Sequence, residues 1–187
     1  MTPLALVRHA DTAWSVQGRL QGRADPPLLR SVVIHLPKQV RGMRIVTSPL
    51  ARCVQTAALL GAPDAPREPR LIEMDWGDWE GETLTELRAR LGAEMQQNEE
   101  RGLDFRPPNG ETPRAVSERV RPWLEQVARE GIATLAVTHR GVIRAILAAA
   151  SGWDMRGTPP AKLDWRAVHL FLLDERGQPK VARLNLV

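Results

Sequence analysis

Cysteine is nearly absent from this chain. The single thiol, Cys53, has no partner for an internal disulfide, which fits a reducing compartment. Long apolar runs are missing too: none nears the roughly 18 residues of a spanning helix, and the start from Met1 to His9 lacks a basic region followed by an apolar segment. Neither a membrane partner nor an export signal is therefore expected, and a cytoplasmic location is. Clustered positive charge is also lacking. The formal charge is +4 and the pI near 10.1, but the basic residues are almost all arginines dispersed from Arg8 to Arg183, a poor match to a nucleic-acid-binding tail. The chain has no Gly-x-x-x-x-Gly-Lys-Ser/Thr loop, no Gly-x-Ser-x-Gly elbow and no clustered Cys or His ligands. P-loop nucleotide hydrolysis, acyl transfer at that elbow and zinc chemistry are unsupported, and no metal is expected.

What is present is an ordinary globular composition, 43% hydrophobic and 26% charged, over a length suited to one domain spanning 1–187. Leu4–Val7, Arg44–Ser48 and Ala133–Thr138 read as buried strands. Val168–Leu173 and Val181–Leu184, separated by a polar turn, read as a terminal hairpin. Helices fall between the strands. Ser48-Pro49 reads as an N-cap with proline at the first helical position, Thr83 to Glu86 as a capping box, and Thr112-Pro113 as a second cap-then-proline start. Val116, Val120, Trp123, Leu124 and Val127 form a core stripe, with Pro122 expected to kink that helix. A last helix follows His139. Pro26 to Arg41 fits neither the helical nor the strand period. Strands alternating with helices predict an α/β layered domain around a mostly parallel sheet.

Three strand-to-helix junctions deliver anion-seeking side chains: Arg8-His9, Arg52 after Ser48-Pro49, and His139-Arg140. Ligands of open parallel sheets bind at the carboxyl ends of the strands, where helix N-termini aim their N–H groups. Guanidinium forks match phosphate oxygens, and imidazoles donate or attack, so this edge reads as a phosphate site. Cys53 fails as a phosphatase nucleophile of the cysteine type, which needs an arginine six residues on, where this chain has Leu59.

Leu6-Val7-Arg8-His9-Ala10-Asp11-Thr12-Ala13-Trp14 with Gly18-Arg19-Leu20-Gln21-Gly22 resembles the opening signature of the histidine phosphatase superfamily. Thr47 to Ala57, Glu73 to Gly81, Pro107 to Thr112 and Val137 to Gly141 resemble its later motifs in the same order. The resemblance implies a phosphoglycerate mutase-like three-layer sandwich with a mostly parallel central sheet flanked by helices. It also implies a metal-independent phosphomonoester hydrolase working through a phosphohistidine on a small phosphorylated metabolite, as an α-ribazole phosphatase does or with broad specificity. No cofactor is implied. His9 would be the nucleophile, with Arg8, Arg52 and His139 holding the phosphoryl oxygens and Glu73 as general acid/base, a role needing a raised pKa. Trp76 and Trp79 are candidates to desolvate Glu73; Asp75, Asp78 and Glu80 compete for its role. Thr12, Ser15, Gln21, Gly22 and Arg140 would contact substrate.

Two residues depart from the family pattern in ways that bear on substrate: Ser15 where asparagine is usual, and Arg140 where the second-histidine motif has glycine. Ala10 also replaces a glycine. Arg140 either clashes with the backbone path or adds a cation that selects a second anionic part of the substrate. About 25 residues separate Gly81 from Pro107-Pro108, little room for the insertion that covers the site in full mutases, and an open site favours hydrolysis. The alternatives are a phosphoglycerate mutase using the same His9 and dependent on 2,3-bisphosphoglycerate, and a non-catalytic phosphate-binding relative. Trp14 and Trp79 are the candidates for the mouth, and the Gly152–Trp165 connection can reach it. Nothing in the sequence selects an oligomeric state.

Overall fold

The computed structural model describes residues 1–29 and 36–187. Val32, Val33 and Ile34, the part of Pro26 to Arg41 that fitted neither period, lie outside the described residues. The elements are β1 (Thr2–Arg8), α1 (Ala13–Val16), β2 (Arg44–Thr47), α2 (Ala51–Leu59), α3 (Leu84–Leu91), α4 (Ala93–Glu99), α5 (Pro113–Glu130), β3 (Thr134–Thr138), α6 (Arg140–Ser151), β4 (Val168–Leu173) and β5 (Pro179–Leu186). They build one five-stranded sheet of order β2-β3-β1-β4-β5. β2, β3 and β1 pair in parallel, whereas β4 runs antiparallel to both β1 and β5. The sheet is thus mixed. The short Asp174–Gln178 turn permits only an antiparallel hairpin at its C-terminal edge, while the parallel pairs are joined by helix-containing crossovers.

The apolar strands are continuous because both sheet faces are covered. Successive residues of β1 alternate between two cores. Leu4 and Leu6 pack with Val116, Val120 and Leu124 of α5 and Ile143 and Ile146 of α6. Ala5 and Val7 pack on the other face with Cys53 and Ala57 of α2. Helices on each side of the sheet give the three layers. Leu6 is fully buried, and Leu6→Ala would cost about 2–5 kcal/mol through lost transfer energy and the cavity left behind. A third, smaller cluster of Trp79, Leu87 and Met95 holds α3 and α4 beside the main body.

Thr83 and Glu86 form the capping box that starts α3, and Thr112 caps α5 with Pro113 in its first turn. Helix α5 runs through Pro122 as one element. Ser48-Pro49 does not cap α2, which begins at Ala51 with Leu50 in the cap position and no side-chain cap bond. The Asp25 carboxylate instead reaches across the chain to accept from the Ala51 and Arg52 backbone N–H groups. A carboxylate at a helix N-terminus satisfies orphan donors and opposes the positive dipole end. That substitution releases Ser48 for a different partner.

Candidate active site

Because β2, β3 and β1 are adjacent and parallel, the three junctions that follow them share one sheet edge. The His9 backbone N–H donates to the Thr138 carbonyl (2.9 Å), tying the first junction directly to the third. The His9 and His139 rings consequently lie with centroids 5.3 Å apart. His9 is 3% exposed and His139 fully buried. Burial and then the Arg8 cation hold His9 well below the usual imidazole pKa; burial and then Arg52 do the same for His139. Both rings are neutral at physiological pH.

Their hydrogen bonds differ. His9 Nδ1 lies 2.8 Å from the Ala10 carbonyl oxygen, which can only accept, so Nδ1 carries the hydrogen and Nε2 keeps its lone pair. His139 Nε2 instead pairs with the Ser48 hydroxyl at 2.7 Å, with Cys53 Sγ at 3.4 Å. Burial pushes the Cys53 thiol far up, so it is an inert neighbour. Ala10 is accommodated with both backbone groups used: its carbonyl holds His9, and its N–H donates to Thr56 Oγ1 (2.9 Å).

Arg8 and Arg52 surround this pair in different ways. Arg8 is held by a single long contact to Asp11 (3.5 Å), and its buried Nε–H has no acceptor among the described residues. Burial, then Arg140, pull its pKa down to about 10, leaving it cationic at neutral pH. Arg52 is fully buried and donates to the Gly22 and Ala24 carbonyls at 2.8 Å each and to Asp25 at 3.3 Å. Its Nε–H is also orphaned. Buried guanidinium donors of this kind can each give a charge-assisted hydrogen bond to a phosphate oxygen.

Glu73 faces them from the segment before Trp76. Burial raises its pKa, while the Met74 N–H (2.8 Å) and the Gly141 N–H (3.1 Å) donate to Oε1 and oppose the rise. A Cβ on Gly141 would stand 2.5 Å from that oxygen, so this position admits only glycine while Glu73 holds its place. The competing carboxylates are occupied elsewhere. Asp75 accepts from the Gly77 N–H, Asp78 from the Asn109 side chain, and Glu80 from the Arg23 and Ala24 N–H groups. Trp79 is core, 6% exposed, and packs on Phe105; Trp76 lines the cleft.

A cleft of about 720 Å³ opens over this floor, within the range of small-molecule sites. Arg8, His9, Ser15, Gln21, Glu73 and Arg140 line it; Arg52 and His139 lie beneath it. Thr12 and Gly22 are spent inside the scaffold. The Thr12 hydroxyl caps α1 and donates to Gln21 Oε1 (2.8 Å), and Ser15 Oγ donates to Asp11. Gly22 has a positive φ of 52°, and a Cβ there would stand 1.8 Å from Glu80 Oε1, which is held by the turn's own N–H groups. The mouth is lined by Trp76 and Trp165, with Met155 and Gly157 from the Gly152–Trp165 connection, in place of Trp14 and Trp79. The 25 residues beyond Gly81 are not an open gap: α3, α4 and the turn after them supply Leu84, Arg88, Glu99 and Phe105 as one wall. The sequence missed Ser48 as a partner of His139, since that pairing spans 91 positions. Arg144, four residues from Arg140 on α6, carried a helical-spacing signal.

An α/β fold with neutral histidines, orphaned guanidinium donors and a protonatable carboxylate at one strand edge defines a protein that handles phosphoryl groups. Residues 4–187 match the histidine phosphatase superfamily (branch 1), and the chain belongs to that family. It is 30% identical over 200 residues to the 2,3-bisphosphoglycerate-dependent phosphoglycerate mutase of Methylobacterium radiotolerans, covering 97% of this chain and 89% of that one. It is 29% identical over 169 residues to phosphoserine phosphatase 1 of Hydrogenobacter thermophilus, covering 83% and 79%. The solved structure of Bacillus stearothermophilus YhfR matches with a TM-score of 0.81 at 27% identity, over 100% of this chain and 98% of that one.

Proposed function

We propose that the protein is a metal-independent phosphomonoesterase in which His9 Nε2 attacks phosphorus and Glu73 protonates the departing oxygen. The observation that carries this reading is the 2.8 Å contact of His9 Nδ1 with the Ala10 carbonyl in a cleft that Arg8 also lines, from which an unprotonated Nε2 follows. A neutral imidazole needs no proton removed before attack. Phosphoryl transfer then depends on positioning and on cations that offset charge on the equatorial oxygens, the role of Arg8, Arg52 and His139. Arg140, Ser15 and Gln21 contact the substrate from the cleft wall, while Thr12 and Gly22 act by holding Gln21 and Arg52.

The reaction runs in two displacements. In the first, the Nε2–P bond forms as the P–O ester bond breaks, and the Glu73 proton goes to the leaving alkoxide. In the second, water attacks the phosphohistidine while Glu73 takes its proton, returning His9 and releasing inorganic phosphate. Glu73's raised pKa suits both halves, since it must hold a proton in one and accept it in the other.

The test is hydrolysis of p-nitrophenyl phosphate in EDTA, with acid-labile phosphate on the protein followed in parallel. Turnover that survives the chelator and a phosphoenzyme absent from His9→Ala are the expected results. Turnover in His9→Ala matching the parent would sink the reading. Stimulation by 2,3-bisphosphoglycerate with transfer between glycerate hydroxyls would favour a mutase instead, the activity named for the Methylobacterium relative.

A further inference from the structure

The cleft wall contains a second arrangement that the phosphoryl chemistry does not use. Arg140 and Arg144 stand four residues apart on α6, so their side chains share one helix face, and both line the cleft. Arg140 is exposed and Arg144 half-buried. Each guanidinium carbon sits 5.0 Å over the centre of an indole ring, Arg140 over Trp165 and Arg144 over Trp153. Trp153 is itself tied down by its Nε1–H, which donates to the Arg156 carbonyl at 2.9 Å.

Neither arginine makes an ion pair or a side-chain hydrogen bond among the described residues, whereas twelve other arginines are paired with a carboxylate. Like charges one helical turn apart repel, and while Glu73 and Asp11 act on Arg140 from a distance, no described carboxylate pairs directly with either cation. The indole faces lie under each cation, and no described group takes its N–H donors, which are available to a carboxylate or phosphate. By contrast Arg88 of α3, which also lines the cleft, is paired with Glu99 at 2.7 Å. Arg8 and Arg19, which also line the cleft, each have a hydrogen-bond partner, so among the described cleft arginines only the α6 pair has neither an ion pair nor a side-chain hydrogen bond.

We infer that Arg140 and Arg144 form a second anion subsite, and that the substrate is a small phosphate monoester carrying a further carboxylate or phosphate group. The reactive phosphate occupies the floor at His9 and Arg8; the second group bridges the two guanidinium edges on the wall. The inference rests on the phosphatase reading for the identity of the first anion. The pair acts on substrate choice: a monoester with a neutral tail leaves both cations unmatched, and a two-anion substrate relieves their repulsion on binding.

The test uses the full chain in a His9→Ala background, so that nothing turns over, titrated calorimetrically with three probes. Glycerol 3-phosphate has one anionic group, 3-phosphoglycerate adds a carboxylate, and glycerol 1,3-bisphosphate adds a second phosphate. At least one of the two-anion probes should bind on the order of tenfold more tightly than glycerol 3-phosphate, the scale of one charge-assisted hydrogen bond. Which of them gains identifies the second group. Arg140→Gln should shrink that ratio on the order of tenfold, and adding Arg144→Gln should abolish what remains. Arg140 is exposed, so the single variant tests the subsite without threatening the fold. Equal binding of all three probes, no binding of any, or a preference that survives both substitutions would overturn the subsite. Parallel assays with His9 intact keep the two readings apart: no turnover of any probe overturns the phosphatase reading, while the binding ratios still decide the subsite.

Discussion

The floor of the cleft and its α6 wall both present positive charge, but they hold it in different states. On the floor, Arg52 is fully buried and anchored by the Gly22 and Ala24 carbonyls and Asp25, and the neutral His9 and His139 are each fixed by a specific acceptor or hydroxyl. On the wall, Arg140 and Arg144 lie over indole rings and have no ion pair or side-chain hydrogen bond among the described residues. A preorganised floor stabilises charge as it develops, because its dipoles and cations need not move during reaction. An exposed wall selects among substrates, because its contacts are made equally before and during the chemistry. Substitutions on the floor should therefore lower kcat, and substitutions on the wall should change which substrate is taken.

The largest expected break in that contrast is Glu73→Gln. It should lower kcat about 10²–10⁴-fold for an alkyl phosphate and much less for p-nitrophenyl phosphate, whose leaving group needs little protonation. Equal losses on both substrates would remove Glu73 from the acid role. Gly141→Ala comes next. The added methyl would meet Glu73 Oε1 at 2.5 Å and push the carboxyl aside, with an expected loss on the order of 10²-fold and a smaller change in melting temperature.

Stability against pH sharpens the same comparison. The floor imidazoles have folded pKa values below their ordinary 6.5, so the unfolded chain binds more protons below that pH. The stability they contribute is present above pH 6.5 and is lost as the pH falls toward their folded values. Each contributes a slope of up to about 1.4 kcal/mol per pH unit. Glu73 has the opposite sign: its folded pKa is raised above 4.5, so its contribution is present at low pH and lost as the pH rises through that folded value. Denaturant midpoints should fall from pH 6.5 downward; His9→Ala should reduce the slope by up to one proton, and Arg144→Gln, whose charge acts on neither imidazole, should leave it unchanged. The smallest effect is expected for Ser48→Ala. It leaves a buried His139 nitrogen without its hydroxyl partner at a cost of about 1–3 kcal/mol.

Much of this was legible in the chain, for reasons that differ by residue. The β1 alternation of Leu4, Ala5, Leu6 and Val7 reads as a two-sided buried strand because each residue needs only an apolar environment. Thr83 with Glu86, and Thr112 with Pro113, announce their helices because caps are satisfied within three or four residues. Ser48-Pro49 misled because a cap signal describes a local option, and a carboxylate 26 residues away, Asp25, filled that role instead. The mouth tryptophans lie beyond local pattern for a similar reason: Trp14 and Trp79 stand beside site motifs in sequence, but Trp165 reaches the mouth through the packing of a connection far along the chain.

The sequence by itself determined the layered α/β architecture and the meeting of Arg8, His9, Arg52 and His139 at one edge. Strand period and strand-to-helix junctions are local properties, and parallel pairing then puts the carboxyl ends together. Tertiary structure alone decided which nitrogen of His9 is free, that Ser48 serves His139, that only glycine fits at 141 beside Glu73, and that Arg140 and Arg144 lie over tryptophans with no carboxylate partner among the described residues. Those outcomes depend on distances of a few ångströms between residues tens of positions apart. Hydrogen bonding, burial and charge pairing act at that range, and no local pattern encodes it.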